Sequence, residues 1–440
     1  MQTITSGDKD RSVPEIIAEP QQAHSFLRTF IALRHRNFRL FWFGQMISLI
    51  GTWMQSIGQA WLVLELTHSA WLLGIVGALQ FLPVMFLSLF GGVLADRLPK
   101  RKVLLFTQTS AMIQATILWA LVATGHVQIW HVLVLASLLG LTNSIDMPTR
   151  QAFVVEMVGR EDLPNAIALN SSLFNMARVL GPGLGGLIIA WLGVAPLFLM
   201  NAISFIAVII GLALIDMKGL HGLSYLRSKQ LDMPKPNTWQ SLGEGLSYVK
   251  RTPAVFLVIA VIGVISLFAI NFNVMLPLFA TDVLHSGPAG FGFLSAAFGL
   301  GSLFSALWIA WGNNRPSIRF MLLGALAFCV LEIFFALSPI YPLSLLLIAS
   351  VGFAQIALSA VANTTIQTIA PDHLRGRVMS VYMMVFAGSV PLGNLFAGGL
   401  AHLYGAPVSL LVGASLALTA AIIGWFKRAS AEKNLAKSFD

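Results

Sequence analysis

Apolar runs of twenty or more residues recur along the chain, separated by short polar turns. The runs fall at about 39–66, 70–95, 102–124, 129–156, 163–192, 194–215, 252–281, 287–311, 318–338, 341–369, 373–404 and 406–427. About 20 apolar residues suffice to cross a bilayer as a helix. In lipid the backbone must satisfy its own hydrogen bonds, so these runs predict twelve transmembrane helices rather than strands. Pro83, Pro148, Pro182, Pro277 and Pro391 lie within them, as membrane helices tolerate. The pattern divides the chain into a polar tail and interfacial segment (1–37), six spans (38–216), a linker (217–250), six more spans (251–428) and a second tail (429–440).

Composition agrees with the pattern. The chain is 57% hydrophobic and 10% charged, against roughly 25% charged in an ordinary soluble domain. Residues 1–37 are polar, with no short apolar core and cleavage site, so the first span is expected as an uncleaved anchor. The linker is rich in Pro, Lys and Ser, with an amphipathic helix predicted near 238–250. Residues 1–24 read as disordered and 25–37 as a basic interfacial helix.

The net charge of +9 is scattered over turns on one side, without the interleaved aromatics of a nucleic-acid surface. The predicted loops on the other side carry His68, His126, Asp282 and His285 but no Lys or Arg. The positive-inside rule then places both termini in the cytoplasm. Cys329 stands alone within an apolar run and reads as a packing residue. No metal-ligand spacing and no cofactor motif is visible, and the absence of G-x-x-x-x-G-K-[ST] argues against ATP hydrolysis.

The two halves read as copies. "LGPGLGGLIIAWLG" (180–193) matches "LGNLFAGGLAHLYG" (392–405), and "THSAWLLGIVGAL" (67–79) matches "LHSGPAGFGFLSA" (284–296). A duplicated bundle with a midplane cavity is the architecture of alternating-access carriers.

"GGVLADRLPKRK" (91–102) resembles the G-x-x-x-D-R-x-G-R-R/K loop of the major facilitator superfamily, with Gly92, Asp96, Arg97 and Arg101 in register and Pro99 where Gly is usual. Gly181, Pro182, Gly185 and Gly186 resemble its G-P-x-x-G-G antiporter element. "NSIDMPTRQAF" (143–153) and "DHLRGRVMSVY" (372–382) resemble the branch with the enterobactin exporter and macrolide-efflux proteins. The helix-4 element R-x-x-x-G of drug antiporters is absent. The resemblance implies an all-α membrane protein of two pseudo-symmetric six-helix bundles. It further implies a monomeric secondary carrier that uses protons, in a bacterial inner membrane. It places Asp96 beside Arg375 and Arg377 as a latch between halves. In the second-half counterpart, Asn314 replaces the aspartate. Gly181–Gly186 is open to two readings, a seal of the cavity or plain helix packing.

Charge inside lipid is expensive and functional by default. Asp146 falls about 15 Å from the end of the fourth span and Arg178 about 22 Å from the end of the fifth. Arg150 is one turn from Asp146. The three are expected to form one cluster. Asp146 carries the proton and an arginine holds an anionic part of the substrate; the rival reading is a permanent ion pair. Glu65, Asp282 and Glu332 are expected to be solvated at the outer ends of their spans. Gln45, Gln55, Gln59, Asn271, Asn273, Gln355, Asn363 and Gln367 are candidate cavity residues on spans 1, 7 and 10. By resemblance these line the cavity with span 4.

The function expected is proton-driven efflux of a small amphiphilic compound, drug-like or siderophore-like. Uptake symport or lysolipid and lipid transport on the same fold are alternatives, as is a membrane sensor or scaffold that does not transport. No nucleophile–base constellation suggests an enzyme.

Overall fold

The computed structural model describes residues 26–220, 238–311 and 317–436. The tail 1–24, most of the linker (221–237) and the loop holding Asn314 fall outside the described residues. Among those described there is no strand. A 3-10 segment, Phe26–Arg34, precedes the first long helix.

The helices of the first half are α1 (Arg36–Thr67), α2 (Ala70–Arg97), α3 (Lys100–Ala123), α4 (Ile129–Val158), α5 (Leu163–Leu192) and α6 (Ala195–Ala213). The linker helix α7 (Thr238–Arg251) follows. The second half contains α8 (Pro253–Phe268), α9 (Phe272–Asp282), α10 (Gly287–Trp311), α11 (Ile318–Ala336), α12 (Tyr341–Ile369), α13 (Asp372–Tyr404) and α14 (Ala406–Ala436). Eleven spans are long and apolar enough to cross a membrane, with α8 and α9 together making one. The twelfth, α1, is 32 residues long and is diluted by polar residues such as Gln45, Ser48, Gln55 and Gln59.

Helix ends are set by identifiable residues. The Ser69 side chain accepts from the Leu72 amide at 3.3 Å and starts α2. Ser317 accepts from Phe320 at 3.1 Å and starts α11. His131 Nδ1 accepts from the Gln128 amide at 3.0 Å, half of a capping box that opens α4. The repeated sequence corresponds to repeated geometry: His68 and His285 both take the left-handed conformation, each with φ of 46°. Each precedes a serine and the next helix.

The seventh predicted span, 252–281, is not continuous. It breaks between Phe268 and Phe272. Asn271 Nδ2 donates to the Leu267 carbonyl at 3.0 Å, taking an acceptor that a continuing helix would use. The linker helix forms where predicted, over Thr238–Arg251. It packs on α13, pairs Glu244 with Arg377 and brings the Tyr248 hydroxyl to the Ile369 carbonyl.

Two helix pairs join the halves, α5 with α10 and α2 with α13. Both cross through glycine near the end opposite the termini. A Cβ on Gly186 would stand 2.7 Å from Gly292 Cα, and one on Gly398 would stand 2.8 Å from Gly74 Cα. Lipid offers little hydrophobic drive for helix association, so closeness of this kind supplies the packing. At the terminus-bearing end of α2 and α13 the glycines make no such approach. Positions Gly92 on α2 and Gly376 on α13 have nothing within 4 Å of where a Cβ would be.

Candidate functional site

A partly open cavity lies between the halves. It is walled by α1, α2, α5, α9 and α10. Spans 1 and 7 contribute as the sequence suggested, but α4 and α12 do not. The cavity lies towards the far end, where α2, α5 and α10 converge.

Its polar wall holds Ser56, Gln59, Gln80, Asn273 and Ser295. Its aromatic wall holds Trp53, Phe81, Phe272, Phe291 and Phe298. Of the eight residues expected to line it, Gln59 and Asn273 do so. Gln55 instead accepts from Asn201 Nδ2 at 2.7 Å, facing α6. Asn271 is buried at the helix break against Gly393. Gln355 is buried on α12. Asn363 and Gln367 bond one another on that helix. Helical phase decides these placements, and a count along the chain does not fix it.

Asp146 and Arg150 meet as expected, but the cluster they join is a different one. Asp146 is 4% exposed. Its Oδ1 accepts from the Thr107 hydroxyl at 2.6 Å and from Gln108 Nε2 at 2.8 Å. Its Oδ2 accepts from Arg150 Nε at 3.0 Å and from an Nη of the same guanidinium. Arg150 also donates to Gln45 Oε1 on α1. The carboxylate is thus fully hydrogen-bonded, as a charge removed from water requires. Thr107 and Gln108 on α3 carry no charge, so nothing in the pattern singled them out. Arg178 does not join this group. It faces the cavity between Trp53 and Phe298, about one turn along α5 from the wall residue Pro182, whose carbonyl crosses Gly292.

The expected latch residues have other partners here. Arg101 donates to the carbonyls of Leu212 and Ala213, at 2.7 and 2.5 Å, tying α3 to the end of α6. Lys100 pairs with buried Glu156 at 2.7 Å. Arg375 pairs with Asp372 at 2.6 Å, and Arg377 with Glu244. Arg97 is exposed, and the Asp96 side chain lies outside those described. In this structure the two arginines are satisfied by α13 itself and by the linker helix.

The antiporter-like element packs against two helices. Gly181 and Gly185 lie against Trp53 and Met54 of α1, while Gly186 meets Gly292 of α10. Glu65 and Asp282 are exposed as expected, with Glu65 accepting from Trp61 Nε1 at 2.6 Å. Glu332 is not: it is 1% exposed, and its Oε2 has no hydrogen-bond partner among the described residues. Phe328 and Phe335 on the same helix pack on Phe272 and Phe279, turning that face of α11 into the bundle. Cys329 is fully buried.

Residues 27–438 match the family described as "Transmembrane secretion effector". The chain is 30% identical over 361 residues to the multidrug efflux pump Tap of Mycolicibacterium fortuitum, covering 80% of this chain and 86% of that one. It is 27% identical over 374 residues to the enterobactin exporter EntS of Escherichia coli, covering 83% and 85%. A bacterial homologue of the human lysosomal transporter Spinster superimposes with a TM-score of 0.64 at 12% identity, covering 94% of this chain and 98% of that one, which is a likeness of fold.

Proposed function

This chain belongs to the transmembrane secretion effector family of major facilitator transporters, and from that premise we propose that it exports small amphiphilic compounds by alternating access, driven by protons. The observation that carries this reading is the cavity between the halves, closed at the far end by the two glycine crossings. The names of the relatives support export. The terminus-bearing end is the cytoplasmic one, on the charge asymmetry of its turns, and the membrane is the bacterial inner membrane. The structure then corresponds to a carrier open to the cytoplasm. The protein acts as a monomer, with each half supplying part of the cavity.

Asp146 is the proton site in this reading. A proton on its carboxylate removes the charge that holds Arg150. Arg150 then keeps only Gln45 of α1, and α4 loosens from Thr107 and Gln108 of α3. Gain and loss of one proton thereby change how α1, α3 and α4 are tied together. In the opposite state, open outward, Asp96 replaces Glu244 as partner of Arg377 and latches the cytoplasmic ends of α2 and α13.

The test uses inside-out vesicles with an imposed pH gradient and a panel of amphiphilic drugs and siderophores. The expected result is compound-dependent proton efflux from wild-type vesicles that is lost in Asp146→Asn. Flux that survives Asp146→Asn unchanged overturns the coupling role and leaves Asp146–Arg150 a permanent structural pair.

A further inference from the structure

One cation remains that the coupling scheme does not use. The Arg178 guanidinium carbon lies 6.0 Å from the centre of the Trp53 ring and 4.7 Å from that of Phe298. Trp53 belongs to the first half and Phe298 to the second, so the cation stands at the seam. None of the ion pairs among the described residues includes Arg178. The cavity wall contains no Asp or Glu, and Asp146, the nearest candidate from the sequence, is taken up by Arg150.

A guanidinium stays protonated in a protein. In a low-dielectric wall its charge is costly without an opposite one. The negative faces of two rings offset part of that cost. A bound anion would supply the remainder. An organic cation in the same cavity would meet repulsion. The guanidinium fork matches a carboxylate with two parallel hydrogen bonds, which an amide of the same shape cannot provide with charge. The start of α9 works in the same direction: Phe272 and Asn273, its first residues, lie on the cavity wall. The exposed amides and dipole of a half-helix favour negative charge there. The flanking aromatic wall accommodates a flat, apolar body.

We propose that Arg178 is the recognition point for an anionic head group carried on a flat aromatic body, so that the cavity selects organic anions over organic cations of equal size. This rests on the carrier reading above and names its substrate class.

Three probes of one shape test it: 2-naphthoate, 2-naphthamide and 2-naphthylmethylammonium. Binding is measured by calorimetry on the full chain in lipid nanodiscs, with empty nanodiscs subtracted. The proposal predicts that wild type binds naphthoate roughly tenfold tighter than naphthamide, and the ammonium most weakly. Arg178→Gln brings naphthoate and naphthamide to equal affinity, and Arg178→Lys keeps a reduced preference for the anion. Naphthoate binding no tighter than naphthamide in wild type overturns the proposal without recourse to any variant. So does a preference that survives Arg178→Gln. Movement of labelled probes into inside-out vesicles separates the two readings. Selective naphthoate binding with no movement of any probe leaves the anion site standing and overturns the carrier. Movement of naphthamide above that into vesicles lacking the protein, with no preference for naphthoate, leaves the carrier standing and overturns the anion site.

Discussion

Asp162 closes the turn between α4 and α5, where its carboxylate accepts from His35 at 2.7 Å and from Arg34 at 2.9 Å. The hydrogen bond from His35 is the main cause that holds its pKa below the ordinary 3.8, against the opposing effect of burial, with Arg34 adding to the depression. A depressed carboxylate stabilises the fold above its ordinary pKa. That contribution is lost as pH falls from about 4 through the lowered value. Asp162→Ala is therefore expected to lower stability at neutral pH by about 2 kcal/mol, read as a lower unfolding midpoint in detergent, with the deficit shrinking in acid. Glu332 makes the opposite prediction. It is buried with an unpartnered oxygen, so Glu332→Leu, which removes a desolvated polar group, is expected to raise the midpoint by the equivalent of about 1–3 kcal/mol. A lower midpoint would mean that the carboxyl has a partner in the working protein. Counting residues from the end of the run suggested a solvated Glu332. Counting gives depth but not the face of the helix, and here the face decides.

Elements were far more legible than side-chain partners. A membrane helix declares itself by twenty apolar residues, whatever it packs against. The twelve spans, the linker helix and the duplicated turns at His68 and His285 could all be read that way. The break at Asn271 could not, because apolar runs continue on both sides and only a side chain competing for the Leu267 carbonyl interrupts them. Nor could the partners of Gly186. "LGPGLGG" announces close packing, but it does not say that Gly181 takes α1 and Gly186 takes α10. Closure of the far end depends on that second contact. Gly186→Leu would put a side chain where Gly292 Cα now lies, and Gly398→Leu would do the same against Gly74. Each is expected to hold the far end apart and reduce steady-state export about tenfold or more while the protein still reaches the membrane. A variant that exports normally would show that the crossing does not have to close.

At the scale of the whole molecule, the halves meet through glycine crossings at the far end, and the cavity lies between them. Composition and loop charges implied an oriented membrane protein, and the duplicated halves with the family resemblance implied a carrier, yet all were silent on its conformation, because both states of an alternating carrier share one sequence. The latch illustrates this. Asp96, Arg375 and Arg377 can be read from the sequence as one group, while in this structure Arg377 belongs to Glu244 and Arg375 to Asp372. Alternation is the central claim, and the chain allows a direct test. Its single cysteine, Cys329, is fully buried, so an added cysteine can be labelled with little background. Ser56 is an exposed position on the cavity wall. The measurement is labelling of Ser56→Cys by a membrane-impermeant maleimide, from each side in turn, in right-side-out and inside-out vesicles. Labelling is expected to be faster from the terminus-bearing side, and Gly186→Leu is expected to shift the faster access to the opposite side. A side preference that Gly186→Leu leaves unchanged, or no labelling from either side, would overturn alternation.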